Sequence, residues 1–131
     1  MTCARAYRRL IDSGVPAEHI TMTSDGNAGG RQPNGENVLG AIGVCIREIR
    51  SMVREEGFSL TDALKLMTVN PARIYRLGQK GQLKEGKDAD LLFLDHNLQV
   101  DTVIARGKVL LRDKEPVVRG ALEEVLLDKL Y

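Results

Sequence analysis

The feature that most constrains the fold is a change in hydrophobic period near residue 80. Up to Leu77, apolar residues recur at spacings of three and four, which is the period of an amphipathic helix. From Gly81 onward, short apolar runs are separated by turn-forming residues, which is typical of strands. The sequence therefore predicts two units, a helical one over residues 1–79 and an antiparallel β unit over residues 80–131.

The helical part predicts two clear helices. The first spans residues 2–13, with Thr2 as its cap and Gly14 just past its end. The second and longest carries eight apolar residues between Val38 and Val53, with Asn37 as cap and Gly57 as terminator. The inward face of the first helix is expected to consist of Cys3, Tyr7, Leu10 and Ile11.

Two shorter helices are predicted before the period changes. Residues 59–62, Ser-Leu-Thr-Asp, resemble a capping box that opens one of them. Asn70 is expected to cap the other, with Pro71 at its first position and Gly78 as terminator. The residues expected to face inward there are Ala72, Ile74 and Leu77.

The β part predicts three antiparallel strands and a short closing helix. The strands are Leu91–Leu94, Val100–Ala105 and Val109–Leu111, with turn residues between them. The tail from Leu122 to Leu130 is apolar at helical spacing.

The stretch with most chemical interest is a short strand followed by a turn. Ile20–Thr23 alternates apolar and polar residues, and the turn at 24–27 begins Ser-Asp. Asp25 thus presents a carboxylate at the carboxyl end of a strand, where α/β proteins gather their active sites. The local sequence by itself favours an Asx-turn, in which Asp25 bonds its own backbone. A long glycine-rich loop follows, from Gly26 to Asn37, without the spacing of a phosphate-binding loop.

Composition excludes several classes of partner. The net charge is +1, and the chain has three tyrosines, two phenylalanines and no tryptophan. A nucleic-acid or acidic-membrane surface requires a concentrated basic excess and, for single strands, aromatic platforms. No apolar run is long enough to span a membrane, so a soluble cytoplasmic protein is expected. Cys3 and Cys45 are predicted to be reduced, buried small hydrophobes.

The ligand inventory argues against a metal site built from this chain alone. A catalytic zinc site needs three converging protein ligands. The two histidines, His19 and His96, fall on different units, and the two cysteines fall in separate helices. No Ser-His-Asp or Cys-His arrangement can be recognised in the sequence either.

Several motifs together resemble the C-terminal signature of the amidohydrolase superfamily. The matching residues are Thr68, Asn70-Pro71-Ala72, Leu77, Gly78, Gly81, Leu83, Gly86 and Ala89-Asp90-Leu91. Within the superfamily, the isoaspartyl (β-aspartyl) dipeptidase family has Ser-Asp-Gly-Asn where this chain has residues 24–27, and its tail is similar to residues 100–107 and 116–120.

The resemblance implies an α/β fold. Residues 1–79 are expected to form the last helix–strand unit and closing helices of a (β/α)₈ metal-dependent hydrolase barrel. Residues 80–131 are expected to form a small antiparallel β-sandwich unit with a C-terminal tail. The cofactor implied is a binuclear zinc centre, and the substrate is a small β-aspartyl dipeptide. Only Asp25 maps onto this machinery, as a metal-proximal general acid/base.

Two departures from the family shape the expectations for this chain. The family's remaining metal ligands are expected upstream of residue 1. A serine that contacts substrate in the family is replaced by Gly29, and Arg31 nearby is an alternative carboxylate-binding residue. The chain is therefore expected to be inactive alone, and to act as a homo-oligomer or with a missing upstream polypeptide. The alternatives are a non-catalytic interaction module stable only in an assembly, or a part of another cyclic-amide or N-acyl amidohydrolase.

Overall fold

The computed structural model describes residues 2–24, 29–31, 37–39 and 43–118, and for 29–31 and 37–39 it describes the backbone. The chain divides into two compact units, residues 1–82 and residues 83–131. Among the described residues, no helix is both long enough and apolar enough to cross a membrane.

The first unit is mainly helical. Its elements are α1 (Cys3–Asp12), a 3₁₀ turn (Ala17–His19), β1 (Gly29–Arg31), β2 (Asn37–Leu39), α2 (Val44–Arg54), α3 (Leu60–Lys65) and α4 (Val69–Ile74).

Helix α1 confirms the predicted limits and part of the predicted face, since Tyr7 is buried and Ile11 packs against the core, whereas Leu10 is 41% exposed. The Thr2 hydroxyl accepts a hydrogen bond from the Arg5 N–H, and Gly14 lies past the end at φ +87°. The buried residues are Ala4 and Tyr7, whereas Cys3 is exposed. The stripe that faces the core therefore runs through an alanine, whose small side chain allows neighbouring elements to approach closely.

Helix α2 is shorter than predicted. Residues 37–39 form β2, which pairs antiparallel with β1 in the register Gly29 to Leu39 and Arg31 to Asn37. The predicted loop from 26 to 37 thus contains a strand. The predicted cap at Asn37 is wrong, because the helix begins at Val44 after Gly43. Apolar spacing continued across this boundary, but strand pairing satisfies the backbone there instead.

Of the two shorter helices, one has the predicted cap and the other does not. The Ser59 hydroxyl oxygen accepts from the Asp62 N–H at 3.0 Å and donates to the Asp62 carboxylate at 2.7 Å, which confirms the cap of α3. Helix α4 starts at Val69 instead of Pro71, so the predicted cap at Asn70 is wrong. Pro71 is tolerated at the third position because the first N–H groups of a helix have no intrahelical acceptor.

The end of α4 also differs from the prediction. The helix stops at Ile74, and Arg76 adopts the left-handed conformation at φ +56°. Ile74 and Leu77, which were expected to face inward, are 44% and 48% exposed.

The core of the first unit lies where α1, α2 and α3 meet. Its buried residues are Ala4, Tyr7, Ile49, Met52, Ala63 and Leu66. The ring of Phe58 packs beside Tyr7 with centroids 5.2 Å apart, and the Arg8 guanidinium lies 4.3 Å from the Phe58 centroid. This contact between a cation and an aromatic face closes one side of the core.

The second unit is a four-stranded antiparallel sheet in the order β3-β4-β5-β6. The three predicted strands appear as β3 (Leu91–Leu94), β4 (Val100–Ala105) and β5 (Lys108–Arg112). A fourth, β6 (Glu115–Pro116), pairs with the end of β5 and was not predicted. A proline fits there because an edge strand leaves one side of its backbone unpaired.

Two-residue turns connect the last three strands. Arg106 and Gly107 between β4 and β5 both have positive φ, as do Asp113 and Lys114 between β5 and β6. Such turns match the right-handed twist of the strands they join. The described residues of this unit form one sheet, so a β-sandwich stays a prediction; the predicted tail helix lies outside the described residues.

Candidate functional site

Residues 20–24, which lead to Asp25, form an extended segment that packs on the core and is called the arm below. Ile20 and Met22 are half-buried against the core cluster, while Thr21 and Thr23 are exposed, which confirms the predicted alternation. The predicted strand is absent, since residues 20–24 belong to no ladder among the described residues. The Met22 N–H instead donates to the Leu66 carbonyl at 3.0 Å.

Helix α4 holds the start of this arm through two side chains. The Asn70 Nδ2 donates to the carbonyl oxygens of Ala17 and Ile20, each at 2.8 Å. The Arg73 guanidinium donates to the carbonyl oxygen of Glu18. The 3₁₀ turn and the first residue of the arm are therefore fixed to α4 through three backbone carbonyls.

An open groove of about 190 Å³ runs between α1 and the arm. Its walls are mainly apolar and include Tyr7, Leu10, Met22 and Leu66. Burial raises the pKa of the Tyr7 hydroxyl, and the Asp62 carboxylate adds to the rise. The groove therefore offers mainly apolar surface, with no charged group among its lining residues.

Of the two predicted site residues, Asp25 and Gly29, the structure describes only Gly29. Asp25 lies outside the described residues. Gly29 opens β1, and its backbone pairs with Leu39 of β2. The side chain of Arg31, the alternative carboxylate ligand, is likewise outside the described part.

No metal-binding cluster is present in the part of the chain that the structure describes, where no three His, Cys, Asp or Glu side chains could hold one ion. His19 ends the 3₁₀ turn of the first unit, and His96 lies in the β3–β4 turn of the second. Both cysteines are free, and burial with the nearby Glu48 carboxylate raises the pKa of the Cys45 thiol. A protonated, buried thiol is a poor nucleophile.

A close contact explains the glycine that follows α4. Gly81 has φ +82°, and a Cβ placed on it would lie 2.5 Å from the Ala72 Cβ and 2.7 Å from the Thr68 carbonyl oxygen. Both the glycine and the small residue at Ala72 are therefore required for the chain to cross α4 at this distance.

In the second unit, a carboxylate fixes the turn between β4 and β5. The Asp90 carboxylate accepts the Arg106 N–H at 2.8 Å, and the Gly107 N–H donates to the Ala89 carbonyl at 3.0 Å. Several motif residues thus make contacts that stabilise this fold: Asn70, Ala72, Gly81, Ala89 and Asp90.

These motifs fall within a family match that covers most of the chain. A sequence model described as the amidohydrolase family matches residues 3–110. The chain belongs to the amidohydrolase family. The amidohydrolase superfamily consists of hydrolases that are generally metal-dependent. The fold of this chain is that of a fragment of the superfamily, with a four-stranded antiparallel sheet.

Individual members of the family differ in what they act on. A β-aspartyl dipeptidase from Fervidobacterium islandicum AW-1, solved in complex with β-Asp-Leu dipeptide, superposes with a TM-score of 0.78 at 27% identity. An N-acetylglucosamine-6-phosphate deacetylase from Lysinibacillus sphaericus is 30% identical over 98 residues. An adenine deaminase from Methanothrix thermoacetophila is 36% identical over 70 residues.

The chain corresponds to a minor part of each of these proteins. The dipeptidase match covers 90% of this chain and 32% of that one, and the deacetylase match covers 75% and 24%. The adenine deaminase match covers 51% of this chain and 12% of the relative. Most of each relative's length therefore has no counterpart in residues 1–131.

Sequence reasoning missed the residue with the most specific contacts at this site. Asn70 was expected to cap a helix, yet it is 4% exposed and bonds two carbonyls 53 and 50 positions earlier in the chain. Asn-Pro before a helical pattern is the ordinary signature of a cap. The apolar residues on both sides of it were the only available signal that the side chain would be buried.

Proposed function

We propose that this chain supplies the C-terminal part of a zinc-dependent hydrolase of isoaspartyl (β-aspartyl) dipeptides. It would contribute the last helix–strand step of a (β/α)₈ barrel and strands of a β-sandwich. The observation that carries the proposal is the likeness to a β-aspartyl dipeptidase over 90% of the chain at a TM-score of 0.78.

In this proposal Asp25 is the general acid/base. Its carboxylate accepts a proton from the attacking water as the oxygen bonds to the amide carbonyl carbon. The same proton then passes to the leaving nitrogen as the C–N bond breaks, so no net proton is consumed by the enzyme. In this proposal Gly29 takes the position of the family's substrate-contacting serine, and it would contact the dipeptide backbone through its main-chain groups only.

The described residues do not themselves fit a zinc site, because no three of their ligand-type side chains converge. Zinc would therefore require further ligands from outside the described residues. We include in the proposal that the active form is an assembly, either a homo-oligomer or a complex with polypeptide beyond residues 1–131. The open apolar groove beside the arm supports this, since apolar surface is stabilised by being covered.

A second candidate is the hydrolysis of an N-acyl or cyclic amide. It is favoured by the 30% identity over 98 residues to an N-acetylglucosamine-6-phosphate deacetylase. The two candidates share the amide bond as target and differ in the group beside it.

The test is hydrolysis of β-Asp-Leu by the protein purified with whatever polypeptide accompanies it, with zinc supplied. N-acetylglucosamine-6-phosphate and dihydroorotate serve as competing substrates. We expect turnover of β-Asp-Leu and a fall of about 10²–10⁴-fold in Asp25→Asn, because the amide cannot transfer the proton. Preference for a competing substrate would select the second candidate, and inactivity on all three would favour a non-catalytic module.

A further inference from the structure

Asn70 is the one buried polar residue among the described residues, and both of its hydrogen bonds go to the same short segment. It is 4% exposed, and its Nδ2 reaches the carbonyls of Ala17 and Ile20 at 2.8 Å each. The Ala17 carbonyl also accepts the Ile20 N–H at 3.2 Å. One amide group therefore ties both ends of the 3₁₀ turn to α4.

The chemistry of the contact is specific to an amide. A carboxamide nitrogen carries two hydrogens, and here two carbonyl oxygens lie within bonding distance of it. A carboxylate of the same shape has no hydrogen to donate and would face two oxygens. A buried carbonyl that loses its donor keeps the cost of its desolvation.

The tie lies directly before the candidate catalytic residue in the chain. Ile20 opens the arm, and Asp25 is five positions later. The Met22 N–H to Leu66 bond holds the middle of the same arm. The arm is thus held at Ile20 by the Asn70 side chain and at Met22 by the backbone carbonyl of Leu66, the residue that follows α3.

We propose that Asn70 is a positioning residue, which fixes the arm from Ile20 to Ser24 and thereby the place from which Asp25 acts. The part that concerns Asp25 rests on the proposed hydrolase function. The part that concerns the arm does not, because it follows from contacts within the first unit alone.

The experiment measures amide hydrogen exchange of Ile20 and Met22 in Asn70→Asp. Removal of two hydrogen bonds predicts exchange about 10- to 100-fold faster at these amides than the change in global stability accounts for. Thr68→Val is the matched control, because the Thr68 hydroxyl donates to the Leu64 carbonyl at 2.8 Å, within the same stretch of helices, and not to a carbonyl of the arm. It should leave the exchange of Ile20 and Met22 at the wild-type rate, after correction for global stability.

Asn70→Ala removes the same two donor hydrogens without adding a charge, so it keeps the test of Asn70 decisive if Asn70→Asp does not fold. Arg73→Met tests the neighbouring contact of α4 with the 3₁₀ turn. Arg73 is exposed and bonds only the Glu18 carbonyl within this tie. Its loss should raise exchange at Ile20 by a smaller factor, about threefold or more. Unchanged exchange at both amides in whichever Asn70 variant folds overturns the inference.

The active assembly supplies a second readout. Asn70→Asp should lower kcat for β-Asp-Leu at least tenfold while KM stays within about threefold, because the displaced group is Asp25 and not a substrate contact. Thr68→Val should change neither. Faster exchange with kcat unchanged would overturn the link to Asp25, whereas no hydrolysis by the wild type would overturn the proposed function and leave the exchange result standing.

Discussion

The two units of this chain are stabilised in different ways. The first contains every buried residue of the described chain, and most of them form one cluster that includes Ile49, Met52 and Leu66. The second contains none among its described residues, and Leu92 and Phe93 of β3 are 48% and 51% exposed. Its order comes from strand pairing, two tight turns and the carboxylates of Asp90 and Asp95.

The two units also differ in how far apart in the sequence their contacting residues lie. A packed core holds the arm before Asp25 through contacts between residues far apart in sequence, such as Asn70 and Ala17. The sheet is held by contacts between residues close in sequence, and it carries no candidate site residue. The first unit is thus held by contacts between residues far apart in the sequence, and the second by contacts between residues close in the sequence.

The largest expected effect tests where the packing lies. Ile49→Ala should lower the free energy of unfolding by about 2–5 kcal/mol, because it leaves a cavity beside a fully buried position. The equivalent truncation in the sheet, Leu92→Ala, should cost less than about 1 kcal/mol, since half of that side chain is already exposed. Both are measured by urea unfolding. A cost for Leu92→Ala equal to that of Ile49→Ala would mean that the sheet face is covered in solution.

A pair of glycines gives an intermediate effect with the backbone conformation matched. Gly81 and Gly86 have φ +82° and +81°, but only Gly81 has atoms where a Cβ would go. Gly81→Ala should therefore cost about 2–4 kcal/mol from strain and collision together. Gly86→Ala should cost about 1 kcal/mol from conformation alone. Equal costs in thermal or urea unfolding would show that the contact with Ala72 relaxes freely.

The smallest effect is a pH dependence confined to the sheet. The Lys114 ammonium, 2.7 Å away, and the N–H groups of Gln99 and Asn97 lower the pKa of Asp95 to about 2. Since the folded pKa is below the unfolded one, the stabilisation is complete above pH of about 4 and is lost as the pH falls towards 2.

Asp95→Asn isolates that contribution. NMR titration should follow the Asp95 carboxyl in the wild type, and the β3–β4 turn should loosen in acid only when the aspartate is present. The ion pair is largely solvent-exposed on the lysine side, so the change in global stability is expected to be small. A turn that loosens equally in Asp95→Asn would assign the acid sensitivity to another group.

Local sequence determined the parts of this protein whose contacts are local. The caps at Thr2 and Ser59 act on N–H groups three residues later, and the strands β3, β4 and β5 are joined by short turns. In such cases the interacting residues lie close together in the sequence, so the local sequence pattern is sufficient to predict the helix start or the strand. The family resemblance also came from the sequence, and the match over residues 3–110 confirms it.

Tertiary structure decided the start of α2, the role of Asn70 and the state of the arm. The apolar spacing across residues 38–53 fitted one long helix, but pairing between β1 and β2 took residues 37–39 out of it. Ile20–Thr23 reads as a strand, yet a strand requires a partner backbone, and the arm bonds to Leu66 and Asn70 instead. Whether a buried amide caps its own helix or holds a distant turn depends on which backbone lies opposite, and only the packed chain determines that.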